Sequence, residues 1–239
     1  MLLALFLVDL AAGLYLFLPF VGRRNAGVKF YRLILIVSGA LMFCSLVGRF
    51  SIFPLIVAAL TVIVYLTLRY PKRLIFRVPV ALLAIAYAAS AIEIWRAATA
   101  ASWLWSVVGA ISSVALLGSV NLAMLLGHWY LVVRGMSIDP LKRLTHATLV
   151  SAIVRVIVVA IALMMPGVWG AIAIRQGIFF WMRAGWGLIG PLALYPMVWG
   201  TVKIRSTMAA TGLLYVDVVA VVIGEVLGGW LSALGHLPL

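Results

Sequence analysis

The feature that most constrains this chain is the length of its apolar runs. Between breaks marked by basic residues or proline, eight stretches carry almost no charge: 1–21, 30–48, 52–68, 78–95, 103–133, 144–165, 177–202 and 209–234. A helix rises about 1.5 Å per residue, so roughly 20 apolar residues cross the ~30 Å hydrocarbon core of a bilayer. The chain has 239 residues, 67% of them apolar and only 10% charged. A soluble domain is about half apolar and about a quarter charged. No soluble core absorbs this much apolar surface, so a bilayer has to be the solvent. The runs predict an all-α, polytopic bundle of about eight transmembrane helices, one domain over 1–239, with 52–68 short and 103–133 long. They exclude a soluble enzyme, a nucleic-acid-binding module and a disordered protein.

Charge then orients the bundle. Eighteen Lys and Arg against five Asp and Glu give a formal net charge of +13. In a soluble chain this balance points to nucleic acid, but membrane proteins collect Lys and Arg on cytoplasmic loops. With the N-terminus outside, the first, third, fifth and seventh loops hold thirteen of the eighteen: Arg23, Arg24, Lys29, Arg32, Arg69, Lys72, Arg73, Arg77, Arg134, Lys142, Arg143, Lys203 and Arg205. The opposite loops hold Arg49, Arg96 and Arg175, and Arg155 and Arg183 fall inside spans. The bias predicts both termini outside and the basic loops cytoplasmic, in a plasma (inner) membrane with lipid as partner and no nucleic acid. Met1 enters the first run directly and Arg23-Arg24 follow it. A cleaved secretory signal has the reverse polarity, so the first helix is expected to be retained. Trp103 and Trp105 at one end of the fifth span, and Trp129-Tyr130 near the other, fit interfacial aromatic belts. Cys44 is the only cysteine. It forms no intramolecular disulfide and is expected in the core.

Four of the five acids, Asp9, Glu93, Asp217 and Glu225, lie inside spans, where an uncompensated charge costs roughly 3 kcal/mol or more. Helix rise places Asp9, Glu225 and Arg183 about 12, 13 and 9 Å in from the outer ends of their spans. Arg155 and Asp217 lie about 16 and 12 Å from the inner side. Depth matching predicts two pairs, Arg183 with Glu225 and Arg155 with Asp217. Such pairs serve either a polar path for protons or a small solute, or helix packing alone. Asp9 and Glu93 have fewer basic partners and are the better protonatable candidates. In the seventh span, Pro191 and Pro196 with Gly185, Gly187 and Gly190 predict a kinked or broken helix. Gly224-x-x-x-Gly228 allows another helix to approach Glu225 closely.

The histidines form a second candidate site. His128 ends the fifth span and His146 begins the sixth, across a loop of about ten residues that makes these helices antiparallel neighbours. Two imidazoles at one depth suit axial ligation of a haem b iron, another transition metal, or a quinone headgroup, with Asn121 and Tyr130 beside them. Gly118, Asn121 and His128 share a helix face along which a flat ligand fits. Histidines beside Trp and Tyr at helix ends are also ordinary interfacial residues.

No nucleotide-binding, nucleophile-elbow or zinc-protease motif is present, so nothing points to a self-contained enzyme. The histidines favour a redox membrane subunit holding haem or quinone near the cytoplasmic interface. The intramembrane acids and the broken seventh helix favour a small-solute or proton-coupled transporter. A structural or assembly subunit is the third reading. Short loops and the lack of a soluble domain point to work with other membrane subunits or as a homo-oligomer.

Overall fold

The computed structural model describes residues 1–48, 51–68, 73–133 and 135–239. Helix makes up 88% of the structure, and no strand occurs among the described residues. In chain order the helices are α1 (Leu2–Val21), α2 (Arg23–Gly48), α3 (Ile52–Thr67), α4 (Arg73–Thr99), α5 (Trp103–Val132) and α6 (Asp139–Leu163). A π-helical turn (Gly170–Ile174) follows. Then α7 (Ile178–Met182), a π-helical segment (Arg183–Ile189) and α8 (Gly190–Lys203) run on as one winding rod, and α9 (Thr207–Gly235) closes the order. Arg49, Arg69, Lys72 and Arg134 of the charge pattern lie outside the described residues.

Among the described residues, six helices are long and apolar enough to cross a membrane: α1, α2 over Asn25–Val47, α4 over Val78–Thr99, α5, α6 and α9. The remaining two apolar runs take other forms. Run 52–68 yields a 16-residue helix, and run 177–202 yields the three-part rod. The rod follows from its residues. Pro191 has no N–H to donate, and its ring crowds the preceding turn. The helix answers by widening to π geometry immediately before Gly190-Pro191, with the Gly190 N–H reaching the Gly185 carbonyl. Helix α6 starts on Asp139-Pro140, an acid in the positive first turn and a proline where no N–H is needed. Helix α2 is kinked at Gly27, whose φ of 76° only glycine adopts readily.

Helix α5 is the axle of the bundle. Of its membrane-length window 72% is buried, against 56% or less in the other five, and it packs on α1, α4, α6 and α9. Its crossing with α1 is set by glycine. A Cβ on Gly118 would lie 2.4 Å from the Gly13 Cα, and one on Gly13 2.6 Å from the Gly118 Cα, so the two backbones touch. On one side α2 and α4 pack on α1, with α3 seated on α2 and α4; on the other α6 and α9 pack on α5, with α8 seated on α6 and α9.

The outside of the bundle is as apolar as its core. Ile36, Val47, Ile85, Leu104, Met164 and Ile178 are all exposed, a surface that lipid tolerates and water does not. Cys44 lies on this exposed surface and not in the core, contrary to the sequence expectation. After α9 the chain reverses at His236, which takes a left-handed φ of 54°. Leu239 is thereby tucked back into the bundle with no exposed surface, its N–H donating to Ser232 Oγ at 2.9 Å.

Candidate functional site

Two arginines and a glutamate meet inside the bundle. Arg155 on α6 and Arg183 at the start of the π-helical segment have no exposed surface, and Glu225 on α9 is 5% exposed. Arg155 grips Glu225 with two parallel bonds, Nε to Oε1 at 3.0 Å and Nη2 to Oε2 at 2.9 Å. Its Nη1 donates to Ser112 Oγ on α5 at 3.0 Å. Arg183 Nη2 donates to Glu225 Oε1 at 2.8 Å. The main-chain oxygen of Leu239 accepts from Arg155 at 3.3 Å and lies 3.5 Å from Arg183. One carboxylate therefore compensates two guanidiniums, in the forked geometry that makes such pairs strong.

Glycines make room for the second arginine. A Cβ on Gly187 or Gly224 would fall 2.9 or 3.1 Å from Arg183 Nη1, and one on Gly228 would fall 2.8 Å from its Nε. Gly187 and Gly224 also touch each other, with built Cβ-to-Cα distances of 2.4 and 2.2 Å. The Gly224-x-x-x-Gly228 spacing thus brings the π-helical segment against α9 and leaves a flat seat for the guanidinium. Arg183 Nε and Nη1 find no hydrogen-bond partner among the described residues.

A fourth charged group joins through Trp95. The Arg155 guanidinium lies 5.6 Å from the Trp95 ring centroid, a cation–π contact. The indole N–H of Trp95 donates to Asp9 Oδ2 at 2.7 Å. Ser113 lines the same cleft as Asp9 and Glu225. Asp9 is 1% exposed, and its Oδ1 has no partner among the described residues. Asp9, Trp95, Ser113 and Glu225 form one end of a cleft of about 470 Å³ whose other lining residues, Leu3, Phe6 and Phe179 among them, are apolar.

The sequence candidates separate into three groups. Arg183 and Glu225 pair as their depths suggested. Arg155 pairs with Glu225 and not with Asp217, which lies two turns earlier on α9. Asp217 is left 2% exposed, with its Oδ1 unpartnered among the described residues. Glu93 is half-buried and lines a separate cleft with Arg96 and Trp103.

The histidine group lies elsewhere. His128 is exposed and reaches Tyr215 on α9, Nδ1 to hydroxyl at 3.5 Å. His146 is exposed and meets the Tyr195 hydroxyl on α8 at 3.0 Å, with its ring 4.3 Å from that of Trp199. Each imidazole is thus held by a different tyrosine on a different helix. Asn121 is buried and donates to the Leu117 carbonyl of its own helix, and the Tyr130 hydroxyl donates to the Ser137 carbonyl. Gly118 is covered by α1, so the face it shares with Asn121 and His128 is not open along its length.

Sequence reasoning missed Trp95, Ser112 and Ser113. Trp95 reads as one more interfacial aromatic at a span end. The adjacent serines in the middle of the fifth run were a usable signal, since hydroxyl pairs there serve buried polar groups. Comparison with protein-family models, curated proteins and solved structures finds no match to this chain.

Glu225→Leu strands two buried guanidiniums. Breaking a buried pair from one side costs about 3–5 kcal/mol, whereas replacing all members with apolar groups is often neutral. A large fall in Tm in detergent is expected for Glu225→Leu, and most of it should return when Arg155→Met and Arg183→Met are added. Gly224→Leu should melt low for a backbone reason and gain nothing from those changes. A Glu225→Leu melt matching the wild type would show that the cluster does not hold the bundle.

Proposed function

We propose that the chain is a multi-pass transporter that moves a small solute coupled to protons, with its site at Asp9, Ser113 and Glu225. One observation carries this reading. An intramembrane carboxyl, Asp9, lines an otherwise apolar cleft and keeps one oxygen without a partner among the described residues. Buried acids of this kind are expensive, and their usual use is to take up and release protons or ligands. Two further facts support it. The π-helical segment adjoins the cluster, and widened or broken helices recur where membrane proteins bind solutes. Asp217 continues the line of buried acids about 12 Å further along α9.

The proposal includes the finer topology: eight crossings, both termini outside, and basic loops on the cytoplasmic side of a plasma membrane. Helix α3, at about 24 Å, crosses with local thinning, and the α7–π–α8 rod is long enough to cross alone. Thirteen basic residues in alternate loops against three in the others support the orientation. In a Cys44→Ser background, Ser137→Cys should label only from the cytoplasmic side and Ala101→Cys only from the opposite side. Labelling of both from one face would refute the arrangement.

Transport is tested in liposomes containing a pH-sensitive dye, with a potassium gradient and valinomycin driving protons inward. Wild type should acidify the lumen several-fold faster than empty liposomes, and Asp9→Asn should fall to near the empty rate. Identical rates for wild type and empty liposomes would remove proton coupling.

A redox subunit holding haem b or quinone between His128 and His146 is the second reading, alone or among other membrane subunits. It is favoured by the tyrosine hydroxyl at each Nδ1, since a ligating histidine is usually fixed through its other nitrogen. Purified protein should then show a Soret band that shifts with dithionite and vanishes in His128→Ala. A featureless spectrum would eliminate haem.

A further inference from the structure

The two ends of the Asp9 cleft differ in chemistry. Its mouth is made of exposed apolar side chains, Leu2 and Leu3 in the first turn of α1, Phe179 on α7 and Val226 on α9. Its floor is made of buried groups, Asp9, Trp95, Ser113 and Glu225. The volume of about 470 Å³ falls within the range of roughly 300–1,000 Å³ found for small-molecule sites. A strongly hydrated solute would have to shed its water among leucine and phenylalanine to reach the floor. An apolar chain arriving sideways from lipid meets only surfaces like its own.

The floor then selects the head of that chain. The Glu225 oxygens already accept three guanidinium bonds. Asp9 Oδ2 accepts the Trp95 indole N–H, and Oδ1 accepts nothing among the described residues. The vacancy is an acceptor, so the head that fills it must donate. Charge narrows the choice further. A head with a full charge, ammonium or carboxylate, would have to leave water and pass Leu2, Leu3, Phe6 and Phe179 to reach the floor, at a cost that a neutral head does not meet. A neutral hydroxyl meets Oδ1 without that cost.

We infer that this cleft is a side-entry site for an apolar-chain molecule ending in a hydroxyl. The hydroxyl donates to Asp9 Oδ1, and the tail runs past Leu5 and Phe6 to the mouth between α1, α7 and α9. The inference rests on placing the solute site at Asp9, as proposed above, and names the class of solute.

Trp95 and Trp230 line the cleft, so a brominated tail seated there quenches tryptophan fluorescence. The full chain in saturated-lipid nanodiscs is titrated with ω-bromoundecanol, its methyl ether, ω-bromoundecanoate and ω-bromoundecylamine. The alcohol should give saturable quenching. The ether lacks the donor, and the other two carry charge, so each should bind at least about tenfold more weakly, the scale of a lost hydrogen bond to a buried acceptor. Asp9→Leu should abolish the saturable component. Leu3→Phe, at the exposed mouth and remote from the polar floor, should weaken it by narrowing the entrance without adding a fluorophore. Displacement of the alcohol by a decyl-chain hydroquinone but not by the matching quinone assigns the hydroxyl to a quinol, and failure of both assigns it to an aliphatic alcohol.

Equal quenching by alcohol and ether, or alcohol quenching unchanged in both variants, overturns the inference. Head-group-selective quenching without Asp9-dependent proton flux leaves this site standing and removes the transport reading. Asp9-dependent flux without head-group selectivity does the reverse.

Discussion

The two-arginine, one-glutamate cluster is the constraint on which the α5–α9 half of the molecule depends. Each guanidinium taken from water into hydrocarbon carries a desolvation cost that its partners must offset. Glu225 is therefore the group that fixes where α6 and the π-helical segment lie against α9. Ser112 ties Arg155 to α5, and Trp95 ties it to α4 and, through Asp9, to α1. Six helical elements are thus registered about a single carboxylate. Apolar packing alone gives helices in lipid little preference for one rotation over another, because lipid tails are as apolar as leucine.

The local irregularities follow from that cluster. Arg183 reaches Glu225 only because Gly187, Gly224 and Gly228 remove three side chains from its path. The widened π geometry between Arg183 and Pro191 keeps Arg183 and Gly187 on the side facing α9. The same arrangement opens the cleft beside Asp9, since the polar floor cannot be filled by the neighbouring leucines without burying an unpaired carboxyl. Stability and candidate site come from one set of residues.

The α1–α4 half contrasts with this. Its core is apolar and aromatic, with Tyr15 and Tyr87 stacked at 5.0 Å and the Thr61 and Tyr87 hydroxyls 3.3 Å apart. The Tyr15 hydroxyl donates to the Val80 carbonyl. Small and aromatic side chains set much of the packing here, and α3 completes that layer with only 16 residues.

The all-helical, membrane-like architecture, the break in the seventh run and the set of charges within the apolar runs were legible from the chain, because each depends on composition along one helix. The pairing of Arg183 with Glu225 was legible too, since helix rise converts sequence position into depth. Depth says nothing about rotation, however. Two residues at one level meet only if their helices turn the same faces together, so Arg155 went to Glu225 and Asp217 was left aside. Nor does depth reveal that His128 and His146, close in sequence, turn toward Tyr215 and Tyr195 on separate helices. Trp95 could be seen as a structural hub only once Gly109 was found giving its ring space, with a built Cβ 2.7 Å from Cε3. Apolar length and charge determined which segments are suited to a bilayer and which polar groups they carry. The glycine contacts and the rotation of each helix, which exist only between elements, decided which of those groups meet.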